Sequence, residues 1–126
     1  MMASNHQLGR HGERLAERHY RRDGYRILAR NLIVHRREID LLARTPDATT
    51  LVIVEVKTST RSLHKARSAL DQRKRRRLAE AARALHELGM LQEHSLRVDA
   101  FLIDCSGSPP RTRRIEGPLV RRGWGA

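Results

Sequence analysis

The segment L-V-I-V-E-V-K-T at residues 51–58 is the clearest β-strand in the sequence and decides the fold. Its residues are mostly aliphatic and β-branched, which is typical of a strand that is buried on both faces. Because strand side chains alternate, the even-numbered residues share one face and the odd-numbered residues share the other. The odd-numbered face changes at its carboxyl end from aliphatic side chains to a carboxylate, Glu55, and an ammonium, Lys57.

Two interpretations of Glu55 and Lys57 are open on this strand alone. Charged side chains are seldom buried unless they are paired or ligated, because removing an ion from water costs several kcal/mol. The two residues either form a half-exposed ion pair at the margin of the sheet or belong to a functional site. A second segment bears on this choice.

Asp40 lies in the segment E-I-D-L-L-A at residues 38–43, between two apolar neighbours and on the face that alternation assigns to Leu42. Aspartate is a poor strand former, so its presence in a strand calls for a reason. If this strand pairs with the strand at 51–58, Asp40 and Glu55 converge on one side of the sheet. Two close carboxylates repel each other unless a cation or a proton lies between them.

The predicted occupant of this carboxylate pair is Mg²⁺ or Mn²⁺. Hard oxygen ligands favour these ions over zinc, and the seven histidines and single cysteine show no zinc-binding spacing. Such a metal could activate water, polarise a phosphodiester and stabilise the leaving oxygen. Lys57 would orient or deprotonate the attacking water, or stabilise the charge that develops on the phosphate. We therefore predict Asp40, Glu55 and Lys57 as catalytic residues.

The other segments predict one mixed β-sheet flanked by helices, an α/β fold with the order αβββαβ. The predicted helices span 8–22 and 68–88, and the predicted strands span 25–31, 38–44, 51–58 and 96–104, with a weak strand at 114–116. Ser68 and Asp71 are predicted to cap the second helix, and Asp99 is expected to pair with Arg97. We interpret residues 1–126 as one domain, with a core at about 8–104 and a basic tail at about 105–126.

The charge balance points to a polyanionic partner. Lysine and arginine total 26 against 14 aspartates and glutamates, which gives a formal net charge of +12. A nucleic acid is favoured over a membrane because no apolar run approaches the roughly 20 residues that span a bilayer. The start of the sequence does not resemble a signal peptide, and the lone Cys105 cannot form an internal disulfide. These features predict a cytoplasmic protein.

The basic run at residues 73–77 opens the second predicted helix. It is either a solvated helical face or a phosphate-binding surface. Cations in a first turn oppose the helix dipole, and bound phosphate would reverse that disadvantage. Lys74 lies four residues before Leu78, so it is expected on the sheet-facing side and pointing toward the site. The few aromatic residues argue against base stacking on single strands and favour reading the backbone of a duplex or branched structure.

Asp40 followed by Glu55-Val56-Lys57 on the next strand resembles the PD-(D/E)XK nuclease motif. The chain as a whole resembles the YraN family of small bacterial proteins, which are predicted endonucleases similar to Holliday-junction resolvases. The resemblance rests on E-I-D-L-L-A and V-E-V-K together with H-G-E at 11–13, G-Y at 24–25, R-N at 30–31 and R-V-D at 97–99. The combination in this order is specific, whereas no single piece is.

This resemblance implies a restriction-endonuclease-like three-layer fold, with Asp40 and Glu55 as metal ligands and Lys57 as the catalytic lysine. It also implies Glu13 of the first helix as an additional metal ligand, although a solvated position for Glu13 remains an equal alternative. Arg37 stands where the family usually has glycine, so its side chain would either narrow the site or contact phosphate. The predicted nucleic-acid contacts are Arg37, Arg73, Lys74, Arg75, Arg76 and Arg77.

The sequence therefore predicts a metal-dependent endonuclease that hydrolyses phosphodiester bonds of DNA, which is favoured over RNA, with branched DNA among its candidate substrates. The alternative is a catalytically inactive nucleic-acid-binding protein on the same fold, which metal titration distinguishes. A third alternative is a structural or protein-interaction domain, for which no salt-sensitive nucleic-acid binding is expected. A homodimer would suit the cleavage of two strands.

Overall fold

The computed structural model of the protein describes residues 5–68 and 71–117. Its elements in chain order are α1 (Asn5–Arg22), β1 (Arg26–Val34), β2 (Arg37–Arg44), β3 (Thr50–Ser59), α2 (Leu63–Ser68), α3 (Gln72–Glu87), β4 (Ser95–Asp104) and β5 (Arg111–Ile115). The strands form one sheet in the order β1-β2-β3-β4-β5. Only the β3–β4 pair is parallel, while the other three neighbouring pairs are antiparallel.

The sheet lies between two helical layers, which confirms the predicted α/β, restriction-endonuclease-like three-layer fold. On one face, Ala16 and Tyr20 of α1 pack against Val52 and Val54 of β3. On the other face, α2 and α3 pack in a cluster that includes Ile53. The alternation predicted along residues 51–58 is thus confirmed, and both faces of β3 are covered because both are apolar.

The parallel pairing of β3 and β4 depends on a crossover made by α2 and α3. Parallel neighbours need such a connection because the chain must return to the end of the sheet from which it started. The carboxyl ends of β3 and β4 consequently lie at the same edge, where Ser59 pairs with Asp104. The crossover also leads the chain from this edge into α3.

The predicted start of the second helix, at residue 68, is wrong. The structure has two helices there, because Asp71 is extended with φ −73° and ψ 177° and caps α3 by accepting a hydrogen bond from the Lys74 N–H at 2.9 Å. Ser68 does not cap α3, since it lies at the end of α2 and its hydroxyl donates to the carbonyl of Lys65. In residues 5–68 and 71–117, no helix has the length and apolar character to cross a membrane.

The predicted weak final strand is longer than expected and forms part of the sheet. Strand β5 pairs antiparallel with β4 from Ala100↔Ile115 to Asp104↔Arg111. The element order is therefore αβββααββ rather than αβββαβ. Residues 118–126 of the predicted basic tail lie outside the described residues.

The side-chain alternation predicted along β2 breaks at Ile39. Ile39 and Leu42 both pack in the cluster beside α2 and α3, whereas Leu41 packs on the α1 side. Strict alternation would have placed Ile39 and Leu42 on opposite faces. The residue that departs from alternation is Ile39, whereas Asp40 interacts with Glu55 and Lys74 on the α3 side, where Leu42 also packs, as predicted.

An irregularity in β1 lies beside this point. The β1–β2 register pairs Arg30 with Leu41 and Leu32 with Ile39, so Asn31 lies between these pairs and opposite Asp40. Asn31 has a φ of 49°, in the left-handed region that asparagine tolerates better than most residues. The backbone of both strands thus departs from regular geometry at the same level of the sheet.

Helix α1 approaches β3 closely at Gly12. A Cβ atom at this position would collide with the Thr58 hydroxyl and would lie 3.0 Å from Ile103 Cδ1. The absence of a side chain therefore allows the helix to lie against the carboxyl end of β3. The next residue of the helix, Glu13, is brought to the same end of the sheet.

A buried polar cluster centred on Asp99 joins α1 to β4 and to the residues that follow β5. Asp99 is fully buried and accepts hydrogen bonds from the Tyr20 hydroxyl at 2.8 Å and from Arg97 Nε at 2.8 Å. It also accepts from Arg97 Nη2 at 3.0 Å and from the backbone N–H of Gly117 at 3.1 Å. The predicted pairing of Asp99 with Arg97 is confirmed, and the cluster has a structural role.

Candidate active site

Asp40 and Glu55 meet where the β2–β3 ladder ends. The ladder runs from Arg44↔Leu51 to Leu41↔Val54, and its continuation by one residue would place Asp40 opposite Glu55. There a side chain accepts a hydrogen bond from the backbone of β3: the Asp40 Oδ2 accepts the backbone N–H of Val56 at 2.9 Å. Glu55, whose side chain is only 2% exposed, is close enough to Asp40 for the two carboxyl groups to influence each other's pKa. The predicted convergence of Asp40 and Glu55 is thus present in the structure.

The burial of this pair changes its protonation. Burial raises the pKa of Glu55 to about 7, with a further increase from the charge of Asp40, although Lys74 and Lys57 oppose the increase. Burial also raises the pKa of Asp40, against the lowering effect of the Val56 N–H and of Lys74. Near neutral pH the two carboxyl groups therefore need a shared proton or an added positive charge.

Two lysines face Glu55 from different elements. Lys57 of β3 places its Nζ 4.0 Å from Glu55 Oε1, and Lys74 of α3 places its Nζ 3.1 Å from the same oxygen. Each lysine side chain is 30% exposed, so each can meet both the buried carboxylate and a ligand in solvent. The expectation that Lys74 points toward the site is confirmed, although its contact with Glu55 was not foreseen.

Glu13 of α1 lies at the margin of the same acidic group. Its pKa is raised by burial and then by the charges of Asp40 and Glu38, while a hydrogen bond from Asn31 lowers it. With its amide nitrogen turned toward the carboxylates, Asn31 donates to Glu13 Oε1 at 3.2 Å and to Glu38 Oε1 at 3.1 Å. Glu13 is therefore close enough for the charge of Asp40 to raise its pKa, but it is not grouped with Asp40 and Glu55 as a third ligand.

Sequence reasoning missed the roles of Glu38 and Asn31. A usable signal existed for Glu38, since it lies two residues before Asp40 in the same strand and alternation favours a common side. Asn31 carried a weaker signal, because asparagine is depleted in strands and tolerates left-handed backbone. Its hydrogen bonds link α1 to β2, and no pattern within one segment shows that link.

The predicted basic contacts lie at different distances from the carboxylates. Arg37 forms an ion pair with Glu80 of α3, with its Nη2 2.5 Å from Glu80 Oε2, so it is not free to bind phosphate as the structure stands. Arg73, Lys74 and Arg77 line a cleft of about 290 Å³ that also includes Lys57. Arg75 and Arg76 are exposed on α3. The part of the basic run nearest the carboxylates is thus the part that borders Lys57.

The donor set fits a hard divalent cation that retains water. Within the described residues, no three histidine, cysteine, aspartate or glutamate side chains are grouped closely enough to hold a metal ion. Mg²⁺, however, usually keeps several waters and is bound through only one or two carboxylates. Asp40 and Glu55 provide two such groups, and a bound cation would offset the burial that raises the pKa of both and the charge of Asp40 that further raises the pKa of Glu55. Lys74 would compete with that cation for Glu55.

Comparison with known proteins gives a consistent family assignment. A UPF0102 protein of Porphyromonas gingivalis is 45% identical over 82 residues, which are 64% of this chain and 59% of the relative. A UPF0102 protein of Nitratidesulfovibrio vulgaris is 36% identical over 109 residues, or 86% of this chain and 80% of the relative. A third relative, from Chlorobaculum tepidum, is 40% identical over 75 residues, or 60% of this chain and 57% of its own length.

The match to the Porphyromonas relative spans less than two thirds of that protein's length. The profile of the family described as uncharacterised protein family UPF0102 matches residues 12–103, which include α1 from Gly12 onward and every predicted ligand. The motif resemblance to YraN proteins and the profile match agree. The chain belongs to the UPF0102 (YraN) family.

Proposed function

We propose that this protein is a Mg²⁺- or Mn²⁺-dependent endonuclease that hydrolyses phosphodiester bonds of DNA. The observation that carries the proposal is the burial of Glu55 beside Asp40, with Lys57 and Lys74 both within 4.0 Å of Glu55. A buried carboxylate placed against a second carboxylate is costly for stability. Such an arrangement is typical of a site that binds a cation and handles a negatively charged substrate.

Each residue has a role that follows from its position. Asp40 and Glu55 would hold the metal, and Glu13 of the opposite helical layer would join them as a further ligand only by moving closer to the pair. When bound, the metal supplies Lewis acidity to the phosphodiester and charge stabilisation to the leaving oxygen. Lys57 would orient the attacking water or take its proton, because it extends from the ligand strand with 30% of its side chain exposed.

The basic residues of α3 would hold the substrate backbone. Arg73 and Arg77 line the cleft beside Lys57, so their guanidinium groups would lie next to the proposed reacting phosphate. Arginine binds phosphate through two parallel hydrogen bonds and thereby fixes its orientation as well as its position. Correct orientation of the phosphate toward the water is itself a large part of catalysis in phosphoryl transfer.

The test is the cleavage of labelled linear duplex, single-stranded and four-way-junction DNA in the presence of Mg²⁺ or Mn²⁺. Glu55→Gln and Lys57→Met are each expected to reduce the cleavage rate by roughly 100-fold or more, which is the usual size of such contributions. Glu93→Gln and Lys65→Met are matched controls, since both residues are exposed. Cleavage that survives Glu55→Gln, or that needs no metal, would refute the proposal.

A catalytically inactive DNA-binding protein is the second candidate function. It is favoured by the contact between Lys74 and Glu55, because the ammonium at 3.1 Å supplies the missing positive charge without a metal. Thermal unfolding during Mn²⁺ titration separates the two candidates. For the nuclease, metal at 100 times its Kd should stabilise the folded protein by about 2.7 kcal/mol, and Glu55→Gln should abolish this effect. For the inactive protein, the metal should have no effect and DNA binding should remain salt-sensitive.

A further inference from the structure

The solvent face of α1 carries a line of arginines on the opposite side of the sheet from α3. Arg10, Arg14 and Arg18 are all exposed and follow one another at intervals of four residues, so they share one face of the helix. The helical rise places successive members about 6 Å apart along the axis and the outer two about 12 Å apart. We call these three residues the α1 arginine stripe. Like charges at this spacing destabilise a helix slightly, so helix stability does not explain them.

The stripe differs from neighbouring arginines in lacking acidic partners. Glu17 of α1 forms ion pairs with Arg21 at 3.0 Å and with Arg30 of β1 at 2.5 Å. Among residues 5–68 and 71–117, no carboxylate forms an ion pair with a member of the stripe. The nearest electrostatic partner is Glu13, whose pKa Arg10 lowers as the weakest of several influences. The stripe thus presents charge that the described residues leave uncompensated.

The stripe borders a groove that leads to the candidate active site. The groove has a volume of about 660 Å³ and is lined by Arg10, His11, Glu13, Arg14, Glu17, Arg18, Arg30 and Asn31. Four arginines against two glutamates leave its lining with a net charge of +2 when His11 is neutral. Glu13 and Asn31 also belong to the acidic group around Asp40. A chain of phosphates along the groove would therefore arrive at the proposed metal ligands.

We propose that the α1 arginine stripe binds the phosphodiester backbone of duplex DNA, as a second contact surface across the active site from the α3 cluster. This inference rests on the proposed function for the identity of the polyanion. The two basic surfaces lie on opposite helical layers, with the carboxyl end of β3 between them. Duplex DNA held by both would cross the edge of the sheet at which Asp40 and Glu55 meet.

The salt dependence of binding tests the stripe directly. The chain is kept in EDTA so that the probe, a linear DNA duplex of about 20 base pairs, remains uncut. The combined variant Arg10→Gln, Arg14→Gln, Arg18→Gln is compared with the control variant Arg83→Gln, Arg111→Gln, Arg113→Gln. The control loses the same charge from exposed positions on α3 and on β5, at the far edge of the sheet. A third variant replaces the stripe arginines by lysine.

The stripe variant is expected to make the negative slope of log K against log salt shallower by about 3, because each phosphate contact contributes roughly 0.9 to its magnitude. The control variant is expected to lower it by less than about 1, and the lysine variant should keep nearly the whole slope. Equal slopes for the stripe and control variants would overturn the inference, as would a wild-type chain that does not bind the duplex. Thermal unfolding of all variants checks that each one is folded.

The inference and the proposed function fail in different ways. If binding depends on the stripe but the wild-type chain cuts no DNA with either metal, the nuclease proposal fails and the binding surface stands. If the wild-type chain cuts DNA while the stripe variant binds with the wild-type slope, the binding surface fails and the nuclease proposal stands.

Discussion

Two buried carboxylates on neighbouring strands, Asp99 of β4 and Glu55 of β3, are 0% and 2% exposed but have opposite surroundings. Asp99 receives hydrogen bonds from Tyr20, from Arg97 and from the Gly117 N–H, so donors face both of its oxygens. Glu55 is instead set against a second carboxylate, and its lysine partners only partly offset its burial. A buried charge with a full set of donors is satisfied within the fold, whereas one placed beside a like charge marks a candidate functional site.

The largest expected effect on stability is at Asp99. Asp99→Ala would leave the buried Tyr20 hydroxyl without its acceptor and the Arg97 guanidinium without its buried ion-pair partner, and breaking such a buried pair costs about 3–5 kcal/mol. Urea unfolding monitored by circular dichroism measures the loss. Asp99→Asn keeps one acceptor oxygen and is expected to cost less. A loss below about 1 kcal/mol for Asp99→Ala would show that the Asp99 cluster is not the structural centre described here.

The next effect in size is the pH dependence that Glu55 confers. Its pKa is raised from 4.5 to about 7 in the folded protein, so the folded state binds more protons than the unfolded chain between these pH values. The contribution of Glu55 to the free energy of unfolding therefore falls as the pH rises through this window, by at most about 3 kcal/mol. Glu55→Gln should remove this dependence.

Urea unfolding of the wild-type chain and Glu55→Gln at about pH 5 and about pH 8 measures this contribution as a difference between the two proteins. The variant should gain stability relative to wild type at the higher pH, and Glu93→Gln, at an exposed position, should not. Saturating Mn²⁺ should reduce the gain, because the cation stabilises the ionised carboxylates. If the wild-type chain without metal were more stable than Glu55→Gln at the higher pH, Glu55 would be a stabilising buried charge like Asp99, and the contrast between the two carboxylates would be wrong.

The smallest expected effect on stability is at Lys57. Its Nζ is 4.0 Å from Glu55 Oε1 and its side chain is 30% exposed, so the pair is worth less than about 1 kcal/mol. Lys57→Met should therefore leave urea unfolding almost unchanged while it abolishes the proposed cleavage. Lys65→Met is the matched control for both measurements. A large loss of stability would place Lys57 among the structural residues, together with Arg97.

The predictable part of the molecule is the part that a single segment encodes. The alternation of residues 51–58 established the central strand, its two buried faces and the position of Glu55 and Lys57. The convergence of Asp40 with Glu55 needed only one further assumption, that the two strands are neighbours, and the pairing of β2 with β3 bears it out. The fold class followed from the order of the elements.

The remaining features depend on several segments at once. The break before α3 was hidden because most of the flanking residues suit a helix, and it shows in the extended backbone of Asp71, which caps α3. The ion pair between Arg37 and Glu80 joins a strand to a helix that lies far along the sequence. The irregular level of β1 and β2 at Asn31 and Asp40 is likewise a property of two strands together, which no periodicity within either strand shows.

The contact at Gly12 couples the two functional surfaces that helix α1 is proposed to carry. Helix α1 carries both Glu13, beside the acidic group, and the arginine stripe, and it meets the carboxyl end of β3 where a Cβ atom would collide with Thr58. A helix moves largely as a rigid rod, so the spacing set at this one residue fixes the depth of Glu13 and the height of the arginines together. The glycine at this contact thereby sets the offset between the proposed binding of the DNA backbone and the phosphate that would be presented to the proposed metal ligands.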